Sequence, residues 1–229
     1  MTISTDKIGY NAGCLLRLPF TEGTGLVTHD TSKAPHKMTL TGPPDWLALP
    51  SGQPYLSFDG AADYLQCPAA DSIDLNFTFE DWTLLTWVYN AAGGGAQLLL
   101  DQGRVDVDGW QWFLFGTNIS LRTNQAGSHD EIAAVGGLVP SVWQLTGVTR
   151  AGIVGQFFRN GVPIATTLGA GLANPVSVAG GRKLLVGVQE DEASNRFTGG
   201  LTIPRAWPRR LSNGEMAQIF EVERSRFGV

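Results

Sequence analysis

Three groups of residues have types and spacings that could do chemistry. Asp101, Asp106 and Asp108 fall within one acidic loop, and oxygen-rich loops are where Ca²⁺ finds its ligands. Ca²⁺ takes six or more oxygens, and the Gly109 that follows is not trailed by a Glu at loop spacing. The competing reading is a polar hairpin tip, so calcium is a candidate here and no cofactor is expected. Trp110 and Trp112 stand two residues apart and share one strand face beside that loop. Exposed indoles there would offer a sugar ring a flat surface, and Asn118, Asn124 and Gln125 could add amide contacts. Same-face tryptophans are also what a core uses, and Asn is an ordinary turn residue.

The third group is Glu190-Asp191-Glu192, next to Ala193, Ser194 and Asn195. Glycoside hydrolysis needs two carboxyl groups at a fixed separation. Adjacent residues on a strand point to opposite faces, and this run reads as a solvated polar loop. His29, His36 and His129 are scattered without a zinc spacing. There is no Gly-x-Ser-x-Gly elbow, and Gly93-Gly94-Gly95 is not followed by Gly-Lys-Ser/Thr. The chain is therefore not expected to be an enzyme.

The net charge is −5 and the pI about 5.1. That opposes nucleic-acid binding, which needs a basic stripe to displace counterions. The one basic cluster, Arg205, Arg209 and Arg210, reads as a solvated strand edge running into a helix start. Two cysteines, Cys14 and Cys67, are too few for a disulfide scaffold and read as two buried thiols, with a single bridge between them as the alternative. The opening MTISTDKIGYNAGCLL has no apolar core of a signal peptide, and no stretch approaches 18 apolar residues. Neither export by a signal peptide nor membrane insertion is expected.

The elements that must position these residues are mostly strands. Short apolar runs recur between turn signals: Cys14 to Phe20, Tyr55 to Phe58, Tyr64 to Cys67, Trp110 to Phe115, Ile119 to Thr123, Val142 to Thr149 and Leu184 to Val188. Thr83 to Tyr89 is apolar on both faces, as a central strand covered on both sides would be. Asn160-Gly161 sits between Phe157-Phe158 and Val162-Pro163-Ile164, the strongest short hairpin signal. Leu201 to Trp207 closes the series. Ser212-x-x-Glu215 then forms a capping box, with Leu211 and Met216 as a staple and Met216, Ile219 and Phe220 on one helical face. About a dozen strands at this spacing make an all-β, two-sheet antiparallel sandwich with a short C-terminal helix. The expected division is an N-terminal arm over residues 1–13 and one domain over 14–229.

The order of the motifs resembles the laminin-G-like, concanavalin A-like lectin/glucanase jelly roll family. The residues that carry the likeness are Leu15 to Phe20, Glu22-Gly23-Thr24-Gly25, Asp30-Thr31-Ser32, Phe58-Asp59-Gly60, Tyr64-Leu65, Trp87-Val88, Trp143 and Phe158-Arg159-Asn160-Gly161. Phe197, Gly199, Arg205, Trp207, Leu211, Ser212 and Glu215 complete it. The resemblance implies two stacked antiparallel sheets, one of them curved. Its glucanases carry a Glu-x-Asp-x-x-Glu strand, which this chain lacks. Its last strand often carries an acidic pair near a structural calcium, where this chain has Thr202 and Ile203.

These readings lead to a non-catalytic recognition or structural module. The foremost expectation is a virion protein of a tailed phage, a capsid decoration or fibre-type protein that holds glycans. It would be made in the host cytoplasm and carried on the virion surface, as a homo-oligomer or bound to shell proteins. The alternatives are a free carbohydrate-binding lectin, cytoplasmic or extracellular, and a glycoside hydrolase, which the carboxylate pattern disfavours.

Overall fold

A computed structural model describes residues 9–33, 36–91, 94–178 and 181–229. Most of the expected N-terminal arm, residues 1–8, and Gly93 of the triple-glycine turn lie outside the described residues. The strands are β1 (Leu16–Arg17), β2 (Val27–His29), β3 (Lys37–Thr41), β4 (Asp45–Ala48), β5 (Pro54–Asp59), β6 (Tyr64–Cys67), β7 (Trp82–Asn90) and β8 (Ala96–Arg104). They continue as β9 (Asp108–Phe115), β10 (Asn118–Gln125), β11 (Ser128–Ala134), β12 (Trp143–Ala151), β13 (Val154–Arg159), β14 (Val162–Ile164), β15 (Leu184–Val186) and β16 (Thr198–Trp207). One helix, α1 (Asn213–Glu223), follows.

Two antiparallel sheets form a sandwich. The first runs β14-β13-β12-β7-β16-β5-β4, with β1 beside β16, and the second runs β11-β10-β9-β8-β15-β6-β3-β2. The expected two-sheet fold and C-terminal helix are both present. Strands β2, β3, β4 and β11 were not legible in the sequence, because they are short or polar.

The first sheet is covered on both faces, which is why β7 and β16 read as near-continuous apolar runs. Leu84, Val88, Val148, Leu201 and Ala206 point into the sandwich, where they meet Leu100, Trp112, Leu114 and Leu121 of the second sheet. Leu85, Trp87, Leu145, Ile203 and Trp207 point outward and are buried under Leu211, Met216 and Ile219 at the helix. Helix α1 starts as expected: the Ser212 hydroxyl accepts from the Glu215 amide at 3.2 Å, and Glu215 accepts from the Ser212 amide at 2.8 Å. The Arg209 guanidinium, then the Ser212 contacts, pull the Glu215 carboxyl down to about 2 against the cost of its partial burial.

The basic cluster departs from the sequence reading. Arg205 is not on a solvated edge, because β16 is a central strand and at Arg205 it lies between β7 and β1. Its guanidinium is fully buried and grips Glu223 of α1 through Nη1–Oε1 at 3.0 Å and Nη2–Oε2 at 2.6 Å. The Trp87 indole N–H donates to the same carboxylate at 2.8 Å. Two desolvated charges are tolerable only with such bidentate geometry. A bulge between Thr202 and Arg205 lets β16 leave β5 and pair with β1, with Ile203 at φ 51°.

Asp30 and Ser32 fix the beginning of the sandwich. Asp30 accepts from the amides of Arg17 at 2.8 Å and Ser32 at 2.7 Å, and from the Ser32 hydroxyl at 2.8 Å. The buried His36 bridges Asp30, 2.6 Å from Nδ1, to Asp74, 2.8 Å from Nε2. Burial alone would push the imidazole down, but the hydrogen bonds to Asp30 and Asp74 and their charges outweigh it and raise its pKa to about 9. Cys14 and Cys67 are buried free thiols, as expected, and burial pushes both up to about 12.

Two outcomes follow. The folded chain holds the His36 proton more tightly than the unfolded chain, so its stabilisation is complete below the ordinary pKa of 6.5 and disappears as pH rises through about 9. Urea unfolding should therefore show stability falling by on the order of 3 kcal/mol across that window, and His36→Gln should flatten the slope. Glu223→Gln should cost about 3–5 kcal/mol in the same assay, because it leaves Arg205 buried without its counter-charge.

Candidate functional site

The outward face of the second sheet forms the candidate site. Alternation along β9 sends Trp110, Trp112 and Leu114 into the core and Gln111, Phe113 and Phe115 outward. A cross-strand row joins Asp101 of β8, Gln111 of β9, Arg122 of β10 and Glu131 of β11 in direct register. The Gln111 amide N–H donates to Asp101 Oδ2 at 3.2 Å, and its carbonyl accepts from Arg122 Nη1 at 3.3 Å. Arg122 Nη2 donates to Glu131 Oε2 at 2.7 Å, and its guanidinium lies 4.9 Å from the Phe113 ring centre. One relay of hydrogen bonds thus links Asp101, Gln111, Arg122 and Glu131 across four strands.

The wall of the site is the segment that precedes β16. A bulge in β8 between Leu98 and Leu100 interrupts the ladder, and the Leu98 amide donates instead to the Asn195 carbonyl at 2.9 Å. Asn195 sits at φ 51°, a left-handed conformation that Asn tolerates well. Glu190 is paired with Arg104 at 3.3 Å and Arg182 at 3.5 Å. Glu192 accepts from Lys183 at 2.5 Å and from the Tyr64 hydroxyl at 2.9 Å. Tyr64, Leu185 and Val188 are buried together beside this segment. Between wall and strands lies a groove of about 340 Å³, lined by Leu98, Phe113, Phe115, Arg122, Gln189 and Asn195 among others.

Phe115 is 55% exposed there, whereas Phe113 is nearly buried. The Asn195 amide donates to Gln189 Oε1, which ties the two side chains together. The carboxyl of Asp101 is completely buried, and that burial raises its pKa well above the usual carboxylate range despite the N–H groups of Gln111 and Gly103.

The residues singled out from sequence fall elsewhere or act differently. Trp110 and Trp112 are 1% and 0% exposed. They are core residues, and the Trp110 indole stacks against Phe77 at 5.9 Å and donates to the Leu75 carbonyl at 3.0 Å. Neither can stack on a ligand, because their register points them between the sheets. Asn124 is fully buried and donates to the Gly109 carbonyl at 3.3 Å. Gln125 holds Thr123 and the Asn174 carbonyl, and Asn118 accepts from the Gly136 amide at 3.0 Å. All three brace turns.

The acidic trio does not converge either. Asp101 lies under Gln111, Asp106 contacts His129 Nδ1 at 2.6 Å at the hairpin tip, and Asp108 accepts from Arg182 Nε at 2.9 Å. Among the described residues no three His, Cys, Asp or Glu side chains are grouped to hold a metal ion. Gln111, Phe113, Phe115, Arg122 and Glu131 were missed. Their signal was present in the register that follows once Trp110 and Trp112 are assigned to the core.

The family described as Laminin_G_3, the concanavalin A-like lectin/glucanases superfamily, matches residues 59–217. No curated protein matches the chain. Among solved structures, the binding domain of Paraclostridial Mosquitocidal Protein 1 superposes with a TM-score of 0.71 at 13% identity, over 92% of this chain and 52% of that one. Botulinum neurotoxin type C, whose uptake into cells is described as dependent on interaction with two ganglioside molecules, gives 0.67 at 12% identity over 92% and 51%. The binding domain of botulinum neurotoxin DC, in complex with rat synaptotagmin II, gives 0.67 at 11% identity over 93% and 52%. The chain therefore spans about half the length of these neighbours, and likeness at such identity is likeness of fold.

The pinned wall gives a direct test. Glu190→Gln removes both ion pairs to Arg104 and Arg182, a loss of about 1 kcal/mol for partly exposed pairs. Hydrogen exchange of the Leu98 amide should quicken about fivefold. An unchanged rate would mean that the wall is held without Glu190.

Proposed function

The chain belongs to the concanavalin A-like lectin/glucanase superfamily, and from that premise we propose that it is a non-catalytic binding module whose groove on the second sheet receives a glycan. The observation that carries this reading is Phe115, 55% exposed at a groove whose polar side chains are already oriented. An open aromatic ring offers area to the apolar face of a sugar at low entropic cost. Gln189, Asn195, Arg122 and Glu131 surround it with donors and acceptors for hydroxyl groups. Such a mixture of aromatic surface and few fixed polar groups is how small-ligand sites are built.

The carboxylates support binding over hydrolysis. Glu131 is engaged by Arg122, Glu190 by Arg104 and Arg182, and Asp101 is sealed under Gln111. None of these pairs stands free on opposite sides of a bond, as both hydrolytic geometries require. The toxin neighbours engage gangliosides and synaptotagmin. For this chain the groove's preformed amides and its small size favour a glycan over a protein surface.

The setting we propose is the surface of a tailed-phage particle, with shell proteins as neighbours and cell-surface glycans as targets. It rests on the sequence reading alone. Co-purification with particles is its measure, and a chain that never sediments with them would remove it.

The glycan reading is tested on a glycan array and by calorimetry with the best hit. Phe115→Ala should weaken binding by about 1–2 kcal/mol, roughly tenfold, without shifting the unfolding midpoint by more than a degree or two. An array without hits, or a hit that Phe115→Ala leaves intact, would overturn it.

A further inference from the structure

Asp101 lies beneath the groove with its carboxyl completely buried. Its neighbours across the sheet are Gln111 of β9 on one side and the apolar Leu185 of β15 on the other, each in direct register. Oδ1 accepts from the Gly103 amide at 3.0 Å and Oδ2 from the Gln111 side chain at 3.2 Å. The cations around it are taken by other partners. Arg104 pairs with Glu190, Arg182 with Asp108 and Glu190, and Arg122 with Glu131. The Glu190 carboxylate opposes a charge on Asp101, the Glu190 backbone amide favours it, and Arg182 feels it at longer range. Burial outweighs the N–H groups and pushes the carboxyl well above the usual range. It therefore takes up a proton at a pH where exposed carboxylates stay charged.

The next residue in the row, Gln111, has an amide with a donor end and an acceptor end. A guanidinium only donates, so the Gln111 carbonyl faces Arg122 Nη1, 3.3 Å away. The N–H₂ end then faces Asp101, and an ionised carboxylate only accepts. A proton on Asp101 changes that requirement. The carboxylic O–H needs an acceptor, and the Gly103 and Glu190 amides bonded to Asp101 are donors. Gln111 supplies one by half a rotation about its terminal bond. Its N–H₂ end then meets the Arg122 guanidinium, donor against donor, and that link breaks. Arg122 keeps Nε and Nη2 on Glu131 and its place over the Phe113 ring, while its Nη1 edge is released into the groove.

We infer that Asp101 is a positioning residue of this groove: it sets the direction of the Gln111 amide and so decides whether Arg122 is tied to the floor or released toward the ligand. The charged carboxyl leaves Arg122 held by Gln111 and Glu131 together, and the neutral one leaves it Glu131 alone. The row crosses four strands in register, so the backbone stays in place and only side chains turn. An arginine held from both sides is ordered before the ligand arrives, and binding then costs less entropy. The effect on ligand rests on the glycan reading of the groove, whereas the reversal of Gln111 is a property of the free chain.

The test is a pH titration of the full chain, labelled with ¹³C and ¹⁵N and free of ligand. The Asp101 carboxyl carbon, the Gln111 side-chain N–H₂ and the Arg122 Nε–H should move together, with one midpoint above the ordinary Asp value of 3.8. Asp101→Asn keeps a carbonyl for the Gly103 amide and turns an N–H₂ toward Gln111, so it copies the protonated state. Its Gln111 and Arg122 signals should match those of the unsubstituted chain at low pH and stay there as pH rises. Gln111→Met should stop the Arg122 signal from following Asp101 while the Asp101 carbon still titrates. With the array-selected oligosaccharide, Asp101→Asn should bind about fivefold more weakly than the unsubstituted chain above the midpoint, and equally below it. Separate midpoints for Asp101 and Gln111, Asp101→Asn spectra that match the high-pH form, an Arg122 signal that still follows Asp101 in Gln111→Met, or equal affinities above the midpoint would each overturn the inference. A chain that takes no sugar from the array fails the glycan reading instead, and the ligand-free titration still decides the role of Asp101.

Discussion

The two-residue period of an extended strand decides what this molecule can show to a ligand. Once Trp110, Trp112 and Leu114 are committed to the core, Gln111, Phe113 and Phe115 must face outward. A slip of one residue would expose three large apolar groups and bury a glutamine against them. The same rule, applied across β8, β10 and β11, aligns Asp101, Arg122 and Glu131 with Gln111. Core packing and the candidate site are therefore two faces of one register.

The two sheets use their outer faces differently. The first is sealed over much of its area by α1, fastened by the buried Arg205–Glu223 pair and by the Trp87–Phe227 stack. Among the described residues no α-helix lies on the second. Beside a bulge in β8 the Leu98 amide donates to the Asn195 carbonyl, and Gln97 accepts from the Thr198 amide further on. Charges then hold the segment, with Glu190 and Glu192 gripped by Arg104, Arg182 and Lys183. The groove is thus bounded by strands whose register is rigid and by a loop held through partly exposed ion pairs, which are weak and salt-sensitive.

Much of the fold was legible in the sequence because its signals are local. The capping box at Ser212 and Glu215, the Asn160-Gly161 turn and the double-sided apolar run of β7 each act over a few residues. What could not be read depended on partners distant in the chain. Arg205 looks like a solvated cation until Glu223 is brought beside it by the turn into α1. Trp110 looks like a surface indole until Phe77 and Trp82 close over it. Asp101, Asp106 and Asp108 look like a cation loop until His129 of β11 and Arg182 of the loop before β15 claim two of them. Short polar strands such as β2 and β11 carry no apolar period of their own and exist because a neighbour offers them a ladder.

The most direct measurement is a chemical-shift map of the labelled chain with an array-selected oligosaccharide, followed by mass analysis of the recovered sugar. Shifts confined to Gln111, Phe113, Phe115, Arg122 and the segment around Asn195, with the sugar returned intact, are what this account requires. A footprint on any other surface, or a shortened sugar, would contradict it.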